Sequence, residues 1–120
     1  MRTSELTGAL LDYWVARAED YQAEVRKYEM ADGWHHYCNV KERTRNQVFM
    51  PSKSWDQGGR IIDREGISLK CGEDRSWYAY SEFFDATAAG GSALEAAMRA
   101  IVKNKFGAEV PDEVSDLTSA

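Results

Sequence analysis

Trp55, Gly58, Gly59 and Arg60 stand together in the run "SWDQGGRIIDREGI", Ser54–Ile67. Each of these residue types has a chemistry. Tryptophan offers a flat π-face on which a planar ring stacks, worth on the order of 1–3 kcal/mol for a nucleobase. Two glycines let backbone N–H groups approach an anion, and an arginine adds the charge to hold it. Together they could hold a ring and a phosphate. The run matches neither the phosphate loop G-x-x-x-x-G-K-[ST] nor the dinucleotide fingerprint G-x-G-x-x-G. A plain structural role fits the same residues: the glycines permit a tight turn into a helix, and the tryptophan plugs the edge of the core. Both readings stay open on the sequence.

The other reactive types are sparse. His35 and His36 are adjacent, so on a strand they face opposite ways and cannot readily share a metal. His36 and Cys38 share a face, but the chain holds no further histidine. Cys38 and Cys71 lie in no nucleophile motif and no CxxC, so they read as incidental thiols. Asp63 and Glu65 flank Arg64 and are the best hint of acid–base chemistry. Asp56–Arg60 is an i, i+4 pair of opposite charge, and such pairs usually sit on a surface and contribute little. No catalytic set, metal site or cofactor is expected.

Composition bounds the setting. The chain has 120 residues, 43% apolar and 29% charged, with four Trp and six Tyr, which suits one soluble domain with aromatics to spare for a binding surface. A net charge of −5 argues against general nucleic-acid binding, where Lys and Arg must neutralise phosphates. "VKERTR" at Val40–Arg45 reads as a solvated loop or strand face. No apolar stretch is long enough for a membrane span, and "MRTSELTGALLDYW" lacks the apolar run of a signal peptide. The expected location is the cytoplasm, with free thiols.

These residues must be positioned by short elements. The first helix begins after a Ser4 cap, with Glu5 in its first turn and Leu6, Leu10, Tyr13 and Trp14 on one face, and runs to about Ala18. "EDYQAEVRKYE" reads as either a second helical stretch or an extended arm. Asp32-Gly33 marks a turn, Trp34–Val40 a strand, and "NQVFM" (Asn46–Met50) a second strand ended by Pro51. Ser52–Gly59 is a loop, "GGRIIDREG" about two helical turns stopped by Gly66, and residues 67–81 a β-hairpin in which Trp77 faces away from Tyr78 and Tyr80. Ser92 and Glu95 form a capping box for a last helix carrying Leu94, Ala97, Met98, Ile101 and Val102 on one face, stopped by Gly107. The fold class is α+β: a small antiparallel sheet packed with an N-terminal and a C-terminal helix. One domain spans 1–110, followed by an acidic tail over 111–120.

Three separated segments, "SELTGALLDYWVARAE", "PSKSWDQGGRIIDREGISL" and "GGSALEAAMRAIVKNKFGAEVPDE", together with Trp77, make the chain similar to the phage NinX-like family, small proteins of tailed phages and prophages. The family commonly has proline after the middle glycines, where this chain has Arg60, and proline near the start of the last helix, where it has "GGSALE". The resemblance implies a phage accessory protein in the bacterial host cytoplasm and carries over no catalytic residues. It draws attention to the matching positions Trp55, Gln57, Gly58, Gly59, Trp77 and Arg99. Arg99 either snorkels outward from its helix or points into a site. The function expected first is non-enzymatic binding of a nucleotide-like small molecule, one that sequesters a host signal. The alternatives are a module that inhibits or redirects a host protein, and a small nucleotide-acting enzyme. A homodimer is mildly preferred.

Overall fold

The computed structural model describes residues 1–112, with nothing described for the side chains of 84 and 85. It has three helices, α1 (Gly8–Ala18), α2 (Trp55–Glu65) and α3 (Ala93–Phe106), and six strands, β1 (Gln22–Met30), β2 (Gly33–Glu42), β3 (Arg45–Val48), β4 (Ile67–Cys71), β5 (Trp77–Ser81) and β6 (Phe84–Gly90). The strands make two antiparallel three-stranded sheets, ordered β1-β2-β3 and β4-β5-β6. This is the α+β architecture with helices at both ends. The expected tail over 111–120 lies, from residue 113 on, outside the described residues.

The first helix starts later than its apolar spacing predicts. Thr3–Glu5 form a 3-10 turn, Leu6 is extended and fully buried, and Gly8 has φ +57°. A left-handed residue cannot sit inside a right-handed helix, so a helix running on from Ser4 is broken there. The 3-10 turn is instead tied to the far end of the chain: Thr3 N donates to Ala108 O at 2.8 Å, and Thr3 Oγ1 to Gly107 O at 2.7 Å. From Leu11 to Ala16 every residue of α1 is buried, because β1, β2 and α3 all pack on it. Leu11, Val15, Met98, Ile101 and Val102 belong to one core cluster, and Trp14 meets Phe106 edge-on at 5.3 Å.

The segment that reads as helix or extended arm is a strand over Gln22–Met30. Asp20, in the left-handed region at φ 63°, turns the chain out of α1, a conformation Asp tolerates better than most residues. β1 then pairs with β2 in an unbroken register from Gln22↔Lys41 to Met30↔Gly33. Only Val25 of β1 is buried, which is why its sequence shows neither helical nor alternating apolar spacing. The predicted hairpin over 67–81 is β4–β5, pairing Ile67 with Ser81 and Cys71 with Trp77. Its third partner, β6, pairs with β5 and had no strand expectation, its small residues giving little strand signal. The predicted Ser92 cap of α3 forms, Ser92 Oγ accepting from Glu95 N, but the return bond of the capping box is shifted by one residue, Glu95 accepting from Gly91 N rather than from Ser92 N.

Candidate functional site

α2 is longer than the sequence suggests. Ser54 caps it, accepting from Gln57 N, and Gly66 closes it at φ 63°. Trp55 is therefore the first residue of a helix and not part of a loop, and Gly58 and Gly59 lie inside that helix. The Gly58 N–H donates to Ser54 O at 2.7 Å, so it is not presented to an anion. The absence of a Cβ at Gly58 instead lets Pro51 and Leu94 come close: a Cβ there would lie 2.3 Å from Pro51 O and 2.7 Å from Leu94 Cδ2.

The seven sequence-selected residues do not gather at one place. Trp55 is 59% exposed and forms no part of the core edge. Trp77 is half-buried and packs against the core from β5. Arg99 donates to Leu6 O and Ala89 O, both at 2.9 Å, and meets Glu95 at 3.3 Å, holding the α1 entry and β6 to α3. Gln57 spends its side chain on the segment after β3, with Oε1 accepting from Met50 N at 2.6 Å and Nε2 donating to Val48 O at 3.0 Å.

One cleft of about 330 Å³ does include two of them. It opens between α2 and the first sheet, where Gln57, Arg60, Ile61 and Arg64 face Tyr21, Phe49 and the ends of β2 and β3. On α2 the spacing i, i+3, i+4, i+7 puts those four side chains on one face. Tyr21 and Phe49 make its aromatic wall, edge to face at 5.6 Å. Arg64 is engaged by Glu19 at 2.5 Å and Glu65 at 3.1 Å. Arg60 is 80% exposed and meets Asp56 at a loose 3.5 Å, so it can swing to an incoming anion. The cleft thus combines aromatic rings, an exposed guanidinium and a second one fixed by carboxylates, with the acids Glu19 and Glu42 also in its lining. Sequence reasoning singled out Gln57 and Arg60 of this cleft but missed Tyr21 and Phe49. Nothing local signals that pairing across the intervening hairpin.

The alternative chemistries are dispersed. His35 Nε2 lies 2.7 Å from Asp32 Oδ1, and its ring stacks on Tyr28 at 5.4 Å, while His36 faces the other side of the sheet. Asp63 and Glu65 stand two apart on α2, a spacing at which side chains do not face one another. Cys38 is buried on β2, and burial, with the charge of nearby Asp12, pushes its thiol up to about 12. Cys71 is exposed. Native protein is therefore expected to release one equivalent of thionitrobenzoate from Ellman's reagent and denatured protein two. Cys71→Ser should abolish the native reaction; equal native labelling in Cys71→Ser and Cys38→Ser would contradict this.

Among the described residues no helix is long and apolar enough to cross a membrane. In comparisons with known proteins, the family model described as "Bacteriophage P22, NinX" matches residues 2–105. No curated protein matches the chain.

Proposed function

The chain belongs to the bacteriophage P22 NinX family, and from that premise we propose a phage accessory protein that binds a small nucleotide-like molecule without converting it. The observation that carries the reading is the cleft joining Tyr21, Phe49 and Ile61 to Arg60 and Arg64. A planar ring would lie against Tyr21, which is exposed while Phe49 backs it from the core, and a phosphate would lie beside Arg60, whose charge-assisted hydrogen bonds to it would be the strongest in the site. A ligand held but not converted would be withheld from the host, as in sequestration of a signal molecule.

Titration of the protein with adenosine and guanosine mononucleotides and cyclic dinucleotides, followed by calorimetry and thermal shift, tests it. One ligand class is expected to bind and to be recovered unchanged. Arg60→Ala is expected to weaken binding by about 10- to 100-fold, the value of a hydrogen bond to a charged group. Tyr21→Ala should weaken it as well, and Trp55→Ala should leave it intact. Absence of binding by every nucleotide, or a larger loss from Trp55→Ala than from Arg60→Ala, would sink the proposal.

A further inference from the structure

Every sheet edge exposes unpaired backbone groups that invite another strand, and proteins usually guard them. Here side chains guard two. Arg99 donates to Ala89 O and Lys103 to Thr87 O, which occupies carbonyls of β6. Gln57 donates to Val48 O and accepts from Met50 N, which covers the end of β3. β4, a third edge, is only five residues long. β1 differs from all of these. It runs nine residues with no proline and no bulge, and among the described residues it has β2 on one side alone; its four charged side chains are its guard against indiscriminate pairing, and they admit only a partner of matching charge pattern. Among the described residues no side chain bonds to its backbone.

We propose that the free edge of β1 pairs antiparallel with β1 of a second copy of this chain, joining the two first sheets into one six-stranded sheet. Charge and overlap together select the register: centring on Tyr28 also opposes unlike charges, Lys27 and Glu29, but overlaps only residues 26–30 of β1. In a two-fold antiparallel pair the central residue opposes itself. Centring on Glu24, Arg26 or Lys27 sets like charges against each other, which is destabilising. Centring on Val25 sets Glu24 opposite the partner's Arg26, twice by symmetry, and overlaps residues 22–28 of both strands. Glu24 and Arg26 are half-exposed on one face of the strand and pair with each other within the chain, a contact that each would exchange for the opposite charge across the edge. Lys27, the remaining cation of the overlap, sits over the Trp34 ring at 5.1 Å and would face the small Ala23 of the partner.

The test is a charge swap followed by sedimentation velocity and native mass spectrometry. Wild type is expected at twice the 13.6 kDa chain mass. Glu24→Arg alone sets Arg against Arg and Arg26→Glu alone sets Glu against Glu, so each should weaken the dimer by about tenfold or more. The two single variants mixed should form a heterodimer, and the double variant E24R/R26E should dimerise as wild type does. Both positions are at the surface, so circular dichroism should report the same fold throughout. A monomeric wild type at its highest soluble concentration overturns the proposal. So do single variants that dimerise like wild type, or a mixture that stays monomeric.

Discussion

Replacing Gly58 with alanine should destabilise the protein by about 3 kcal/mol, the upper end of overpacking costs, whereas the same change at Gly59 should stabilise it by about 0.5–1 kcal/mol. The two residues are neighbours in one helix, and both would gain the same helix propensity. Their surroundings differ. A Cβ at Gly58 would lie 2.3 Å from the Pro51 carbonyl oxygen, a backbone atom that cannot rotate away, and 2.7 Å from Leu94 Cδ2. Relieving that clash moves the Pro51–Ser52 turn, which also carries the Ser52 N–H to Asp12 at 2.9 Å. At Gly59 the nearest atom is Trp55 Cε3 at 3.9 Å, ordinary contact, so alanine there only removes backbone freedom from the unfolded chain. Urea unfolding of both variants checks this. Similar effects in the two would mean that α2 does not press on the turn as described.

The second large effect is a pH dependence. Asp12 is 3% exposed on α1. Burial pushes its carboxyl up to about 6, against the opposing pull of the Ser52 backbone N–H and of Lys53. The folded state therefore keeps a proton that the unfolded state, with an ordinary carboxyl near 4, gives up. Between about pH 4 and 6 the native state binds more protons, so stability falls as pH rises through that window, and the full cost stands above pH 6. A shift of roughly two units corresponds to on the order of 3 kcal/mol. Asp12→Asn keeps an oxygen to accept from Ser52 N but cannot ionise. Its stability should thus lack the Asp12 share of the fall between pH 4 and 6. Parallel stability curves for wild type and Asp12→Asn, from denaturant melts across this range, would show that Asp12 does not carry the shift.

Legibility in the sequence followed locality. α3 was readable because its cap, its apolar face and its stop are all written within a few turns: Ser92 and Glu95, then Leu94 to Val102, then Gly107. The β4–β5 hairpin was readable because alternation and a turn are also local signals. β1 was not, since its conformation is imposed by pairing with β2 while only Val25 reaches the core. The start of α1 was misplaced because Leu6 fits a helical spacing, although Gly8 turns the backbone left-handed just after it. Among the site residues, Arg60 kept its place beside a cleft. Gln57 and Arg99 proved to be bonded to backbone of other elements, partners that no sequence spacing reveals.

The sequence by itself determined that this is an α+β protein with a helix at each end and a hairpin over 67–81, and, through three separated segments, its kinship with the phage NinX family. Those properties rest on periodicity, caps and turns, whose physics operates between residues a few positions apart. Tertiary structure alone decided what "GGR" does. It set Gly58 against Pro51 and Leu94, placed Arg60 on the cleft that Tyr21 and Phe49 also line, left Trp55 outside that cleft, and, among the described residues, left one edge of β1 without a neighbouring strand. Each of these depends on which distant segments meet, and that is settled by the packing of the whole core and not by any local run of residues.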